Sequence, residues 1–330
     1  MADYIDIQGN NIPIRASDPS NPIEGEIWYN TTTRALKGFL NVSPAVWSTG
    51  GTYPVTYNGM SVGGSTPDAI AYGGGTGPVP SYSNQSATYD GSSWTGAPTV
   101  PFTHSLGGGT GPGAAAIGGG GDGNAPGAFA EWDDSSWTAT PTMGKNAYQC
   151  KLAGTQAAAV AAGLYYDTSA QTWNGTTWSD PGAAMPIHVY STSAVGTATA
   201  ASFIGGYGPI PTANAQSAQQ EWNGSAWSTG TAMPGTGTPT GQSGNGAPND
   251  NYWVNGSAGT YLTGTTTAQF DGSSWTTAGS NPTAVTNAGS GGTDIQNGFM
   301  VGGYAPGPAT RINTTQEFAG GPATVTITTS

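Results

Sequence analysis

The sequence predicts an all-β fold in which small four-stranded sheets repeat around a propeller ring. Three observations predict it. The first is a recurring hairpin, Tyr89-Asp90-Gly91-Ser92-Ser93-Trp94, in which an aromatic and a Trp flank a turn of Asp, Asn, Gly, Ser and Thr. It returns from Trp132 to Trp137, from Trp173 to Trp178, from Trp222 to Trp227 and from Phe270 to Trp275. Asp-Gly and Asn-Gly take turn dihedrals that other pairs resist, and the flanking aromatics pack on a sheet face. The second is the period: the closing Trps Trp94, Trp137, Trp178, Trp227 and Trp275 lie 43, 41, 49 and 48 residues apart. A unit of this length cannot bury its apolar face alone and must stack on neighbours. The third is an apolar strand ending in glycines ahead of each hairpin.

Taken in order, the chain opens with alternation at Tyr4, Ile5 and Ile7 and an apolar pair at Ile12 and Ile14. Two strands follow around a Thr-rich turn, at 27–30 and 35–40, with Ile27, Trp28, Tyr29 and Asn30 as the first. Trp47-Ser48-Thr49-Gly50 then echoes Trp227-Ser228-Thr229-Gly230. From about residue 52 a four-part unit repeats. Its apolar strand ends in Gly73-Gly74, Gly118-Gly119, Gly205-Gly206 and Gly302-Gly303, with degraded copies near Gly163 and Gly256. A small apolar plug follows each Trp, as at Met143, Met185 and Met233. A sixth copy opens with Phe318 but lacks its closing Trp. Tyr89, Trp132, Trp173, Trp222, Phe270 and Phe318 are expected in equivalent buried slots. Residues 1–51 read as an N-terminal β arm that attaches or closes the ring, and 52–330 as the propeller. The outermost strand of the last sheet is expected from residues 324–328 or from 27–49, which could also begin a seventh blade. Six blades with an arm is the preferred count.

The order of apolar strand, double Gly, aromatic, turn, Trp and Met-Pro-like exit resembles the kelch repeat over roughly residues 52–330. The glycines permit φ > 0 and close approach of neighbouring blades. The aromatics are the apolar filling between blade sheets.

Composition narrows the function. Gly 55 and Pro 24 with only 7% charged residues would suit disorder, but 11 Trp, 15 Tyr and 7 Phe provide the burial that disordered chains lack. A net charge of −12 with six Lys and Arg leaves no basic stripe for nucleic acid. Beyond residue 51 the only cations are Lys145, Lys151 and Arg311. Cys150 is alone, so no internal disulfide forms. The start, Met1-Ala2-Asp3-Tyr4, has no cationic, apolar leader, and the longest apolar run, near 157–166, is too short to span a bilayer. Neither secretion by a signal peptide nor membrane insertion is expected.

No catalytic, cofactor-binding or metal residue can be assigned. The Asp-Gly-Ser-Ser-Trp turn departs from the sialidase Asp-box, Ser-x-Asp-x-Gly-x-x-Trp, and Arg15, Arg34 and Arg311 are too few and too scattered for an arginine triad. Galactose oxidase copper chemistry would need two His, two Tyr and a Cys. His104 and His188 each lie ten residues past a Trp on different repeats, and no such set assembles around Cys150. Glycoside hydrolysis needs carboxylates about 5–10 Å apart; Asp90, Asp133, Asp134 and Asp271 sit in equivalent turns of different repeats, where turn formation accounts for them. Asn-x-Ser/Thr triplets at Asn30, Asn84, Asn174, Asn223, Asn255 and Asn313 arise mostly from Asn-containing turns.

The segment Pro22-Ile23-Glu24-Gly25-Glu26-Ile27-Trp28-Tyr29-Asn30-Thr31-Thr32, followed by Leu36-Lys37, resembles one common in tailed-phage fibre and appendage proteins. The ending around Thr315-Gln316-Glu317-Phe318 resembles Gly/Thr-rich kelch-like proteins of marine phages. The resemblance implies a virion surface protein, a tail fibre or receptor-binding appendage or else a capsid decoration. Its expected partners are other virion proteins and a host-surface glycan or protein, with trimerisation through the arm. A secreted carbohydrate-active propeller is the alternative from a different class. Ligand-contacting residues are not legible.

Overall fold

The computed structural model describes residues 12–19, 25–40, 46–76, 81–123, 125–165, 167–209, 214–243, 252–257, 264–293, 295, 297–305, 310–319 and 323–326. These residues form strands, turns and loops, and no helix. The early alternation at Tyr4 to Ile7 lies outside them.

Six antiparallel four-stranded sheets share one strand order. Sheet I runs Asn58–Ser65, Asp68–Gly75, Ser86–Tyr89, Trp94–Ala97. Sheet II runs Gly108–Thr110, Ile117–Gly119, Phe129–Trp132, Trp137–Ala139, and sheet III Lys151–Thr155, Ala158–Ala162, Gln171–Trp173, Trp178–Ser179. Sheet IV runs Ser193–Thr197, Ala200–Ile204, Gln219–Trp222, Trp227–Thr229, and sheet V Thr238–Ser243, Tyr252–Ser257, Thr267–Phe270, Trp275–Thr277. Sheet VI takes Gly289–Gly291, Gly298–Val301 and Thr314–Ala319, then borrows Val46–Thr52 as its outermost strand. The first strand of each sheet lies beside those of its neighbours, and that of sheet VI lies beside that of sheet I. The all-β arrangement is consistent with a β-propeller.

Local chemistry explains each repeat. Asp90 Oδ1 accepts the Ser92 and Ser93 amides at 2.8 and 2.7 Å, and Asp133, Asn174, Asn223 and Asp271 make the same pair of bonds. Across each turn the two aromatics face one another in register, Tyr89 with Trp94 and Trp132 with Trp137. The sixth copy is completed from the other end of the chain. Phe318 pairs with Trp47, their rings 5.1 Å apart. Tyr89, Trp132, Trp173, Trp222, Phe270 and Phe318 are all buried.

Six apolar clusters fill the six junctions between neighbouring sheets. Closing Trps reach backwards into several of them. Trp137 packs on Tyr72 of sheet I at 4.6 Å, Trp178 on Phe129 of sheet II at 4.7 Å, and Trp94 Nε1 donates to Thr315 Oγ1 of sheet VI at 2.7 Å. The apolar plugs Val100, Met143, Met185 and Met233 are buried, and each amide donates to a loop carbonyl of its own sheet.

Two features of the chain differ from expectation. Of the two candidates for the outermost strand of the last sheet, the C-terminal strand Ala323–Thr326 does not complete it, and the 27–49 segment does so with its end, through Val46–Thr52. That edge is already taken by Val46–Thr52, so the C-terminal strand instead pairs with Ala35–Leu40. It completes a separate arm sheet with Ile14–Arg15 and Ile27–Asn30. The residue 51/52 division therefore falls inside Val46–Thr52, whose ladder belongs to sheet VI. In sheet II the left-handed glycine pair that follows the second strand is Gly120–Gly121, equivalent to Gly73–Gly74. Gly118 and Gly119 lie two positions earlier, within the strand, where a Cβ on Gly118 would collide with the Tyr72 hydroxyl.

Candidate functional site

Alternating strand direction gives the ring two chemically different faces. One carries the first-to-second and third-to-fourth strand turns, hence Asp68, Asp90, Asp133, Asp134 and Asp271. These acids are turn builders. Hydrogen bonds from the Ser hydroxyls and amides hold Asp90 well below the ordinary carboxylate range and bring Asp133 down to about 2. The other face carries the long second-to-third strand loops and the connections between sheets. Lys145, Lys151 and Arg311 all lie there.

At the centre of that loop face, the starts of the first strands surround a small cavity of about 40 Å³. Five of its lining residues occupy equivalent positions, Gly59, Leu106, Gln149, Ser191 and Asn287, and all five adopt left-handed backbone with φ of 51 to 69°. Four are not glycine. Non-glycine residues in this region carry strain, and such positions concentrate at functional sites. The Gly59 amide donates to the Asn287 carbonyl and the Leu106 amide to the Gly59 carbonyl, both at 2.7 Å. The Ser191 hydroxyl donates to Gln149 Oε1.

Two residues beyond each left-handed residue stands a second equivalent position. It holds Ser61, Gly108, Ser193 and Gly289 in sheets I, II, IV and VI, but Lys151 in sheet III. Lys151 Nζ donates to the Gly107 carbonyl at 3.2 Å. Burial pulls its pKa down, and no carboxylate among the described residues pairs with it. A larger cavity, about 180 Å³, adjoins at the opposite end of the channel, where Gly64, Gly111, Gly154 and Gly196 bring bare backbone to its wall.

Beside the channel mouth runs an arc of tyrosines. Tyr148 and Tyr165 meet at 4.8 Å, Tyr165 and Tyr190 at 4.5 Å, and Tyr190 and Tyr207 at 5.7 Å. They come alternately from sheet connections and from strand loops of sheets III and IV. Three are partly exposed and Tyr190 is buried beneath them. Near the Tyr148 end, burial and then a hydrogen bond with Asp122 push the Tyr82 phenol up to about 12. No tyrosine lines the cavity itself; the arc is joined to it through the chain, where Tyr148 precedes Gln149 and Tyr190 precedes Ser191.

The residues singled out from sequence are distributed around this site rather than in it. The repeat aromatics fill the junctions. Trp28 is fully buried and its Nε1 donates to Asp18 Oδ1 at 2.8 Å, as does Asn30 Nδ2 at 2.7 Å, so these two lock the arm internally. Ile27 and Tyr29 point the other way and are exposed. His104 is buried against Gly73, with Nε2 3.2 Å from Ser61 Oγ, and burial brings it down to about 4. His188 Nε2 lies 3.1 Å from the Leu164 carbonyl, and Cys150 is buried with its thiol pushed up to about 12. Among the described residues no three His, Cys, Asp or Glu side chains are grouped to hold a metal, and no helix is long and apolar enough to cross a membrane. The tyrosine arc and Lys151 escaped the sequence reading. Their signals were a Tyr directly after a glycine pair, as in Gly205-Gly206-Tyr207 and Gly302-Gly303-Tyr304, and a lysine where other repeats hold Ser or Gly.

No family model and no curated protein matches the chain. Among solved structures it is similar to YjhT, at 15% identity and a TM-score of 0.52, over 63% of this chain and 75% of that one. The likeness is one of fold.

Proposed function

We propose that the chain is a virion surface protein of a tailed phage, a fibre-type appendage that holds a propeller toward the host cell. In this reading sheets I to VI are the six blades of a kelch-like propeller, closed by Val46–Thr52. The observation that carries it is the arm. A separate sheet built from both chain ends tucks Trp28 and Asn30 onto Asp18 while leaving Ile14 and Tyr29, paired across adjacent strands, exposed at 74% and 37%. Apolar positions aligned on an outer sheet face suit docking to another virion protein or a second copy of the arm. The motif around Ile27 to Asn30 resembles phage appendage sequences, which supports the same reading.

The propeller's role is binding rather than catalysis, with neither nucleic acid nor membrane as partner. Its loop face offers partly exposed Tyr rings beside neutral polar groups, a surface chemistry suited to saccharides. Binding of fluorescently labelled protein to intact candidate host cells, before and after removal of their surface glycans, tests the proposal. Saturable binding that disappears with the glycans is expected. Folded protein that fails to bind any host would leave a capsid-decorating role, which the arm alone would satisfy.

A further inference from the structure

We infer that the tyrosine arc and the channel mouth beside it form one site for an acidic saccharide, whose carboxylate or sulfate is anchored by Lys151. The inference rests on the host-binding reading only in choosing saccharides as the ligand class. The rest comes from the geometry.

A repeat protein exposes its functional positions as departures from its own pattern. At the position of Lys151 the other sheets are satisfied by Ser61, Gly108, Ser193 or Gly289, so the ring does not need a long cation there. The lysine instead has a cost, since burial disfavours its charge and one carbonyl bond at 3.2 Å is its only hydrogen bond to the described residues. An ammonium has three donors. The remaining two suit an anion arriving from the loop face, and a protein of net charge −12 places all three cations of residues 52–330 on that face. Of these, Lys145 is paired with Asp167 at 3.0 Å, and Arg311 bonds Asn58 Oδ1 at 2.8 Å and stands over Tyr304. Lys151 has no such partner.

The neighbours define the rest of the ligand. The Ser191–Gln149 pair and Asn287 supply neutral donors and acceptors, fixed by their left-handed backbone, at the height where hydroxyl groups would meet them. Tyr148 and Tyr165, partly exposed and edge to face, continue outward, and the partly exposed Tyr207 follows beyond the buried Tyr190, against which it is tilted. A row of rings suits several sugar units in succession, while the small cavity admits only a terminal or branching anionic group. Asp122, near the Tyr148 end and engaged by Tyr82, and Asp167, paired with Lys145, are carboxylates that an acidic chain would have to clear.

Calorimetric titration with three oligosaccharide probes tests this: an oligogalacturonate (carboxylate), a sulfated dextran oligosaccharide (sulfate) and an unsulfated dextran oligosaccharide (neutral). At least one acidic probe should bind about tenfold or more tighter than the neutral one, the scale of a charge-assisted contact. Which acidic probe wins identifies the anion. Lys151→Met should abolish that preference and Lys151→Arg should retain it, while Lys145→Met should leave it unchanged. Tyr165→Ala and Tyr207→Ala, on partly exposed rings, should weaken all probes alike. Equal binding of acidic and neutral probes, binding of neither acidic probe, or a preference that survives Lys151→Met in a folded variant would overturn the inference. Running host-cell binding alongside separates the two readings. Unmutated protein that binds cells but neither acidic probe would reject this site and leave host attachment standing. Lysine-dependent probe binding without any cell binding would do the reverse.

Discussion

At the scale of single residues, this chain repeats one solution and the exceptions are informative. Gly91, Gly175, Gly224 and Gly272 supply the left-handed turn position in four hairpins, but Asp134 takes it in the fifth with φ of 69°. Aspartate tolerates that conformation better than most residues, so the turn survives the exchange. His104 is the clearest exception in the core. Its ring lies against Gly73, whose missing Cβ makes the room, and its Nδ1 has no hydrogen-bond partner. Burial lowers its pKa to about 4, so the folded protein resists a proton that the unfolded chain accepts below about 6.5. Stability is therefore complete above that value and falls as pH drops toward 4. Between about pH 7 and about pH 5 the loss should be about 2 kcal/mol. The turn carboxylates Asp90, Asp133 and Asp271 have lowered pKa values and act only at more acid pH, whereas burial raises Glu131 and Glu221, which works in the opposite sense, so a variant is needed to assign the histidine's share. Urea midpoints measured at the two pH values should converge in His104→Gln. An unchanged acid loss in that variant would assign it to other groups.

At the scale of elements, the decisive strand is Val46–Thr52. It gives sheet VI the Trp that its own repeat lacks, and Trp47 Nε1 donates across the junction to Thr267 Oγ1 at 2.9 Å and to the Gly279 carbonyl at 3.1 Å. Trp47→Ala should lower stability by about 3 kcal/mol or more, the range for an aromatic removed from a packed junction. Deleting residues 320–330, which removes the arm strand Ala323–Thr326, should cost much less because no ring sheet loses a strand. Denaturant unfolding of both proteins checks this, and a truncation as damaging as Trp47→Ala would mean that the arm sheet also holds the ring. Much of this architecture was legible in sequence. The hairpins announce themselves because each must meet the same local turn demand, and the likeness of Trp47-Ser48-Thr49-Gly50 to Trp227-Ser228-Thr229-Gly230 already marked Trp47 as a fourth-strand residue. Its destination was legible only as one of two alternatives, residues 27–49 or the C-terminal strand, because pairing across more than 260 residues leaves no local trace. The candidate site was hidden for the same reason. Tyr148, Tyr165, Tyr190 and Tyr207 come from four separate loops, and Lys151 stands out only once strand register aligns it with Ser61 and Ser193.

At the scale of the whole molecule, the ring is held by six aromatic junctions and very little charge pairing. Arg15–Glu26 and Lys145–Asp167 are the ion pairs among the described residues, and both are partly exposed, a setting in which such pairs contribute little. Against them stands a net charge of −12, with five carboxylates gathered on the turn face. Electrostatics at this scale is therefore mostly self-repulsion, because 6 Lys and Arg stand against 18 Asp and Glu. The consequence has a definite sign. Salt shortens the range of repulsion, with a screening length near 10 Å at about 0.1 M, while the buried aromatic contacts are indifferent to it. Raising NaCl from about 0.05 M to about 0.5 M should therefore raise the thermal midpoint by a few degrees at most. The same change should weaken acidic-saccharide binding, because the Lys151 contact is screened as the ring is strengthened. Scanning calorimetry and titration on one salt series would read both effects. A midpoint that falls with salt would mean that ion pairs, not the Trp-filled junctions, hold the sheets together.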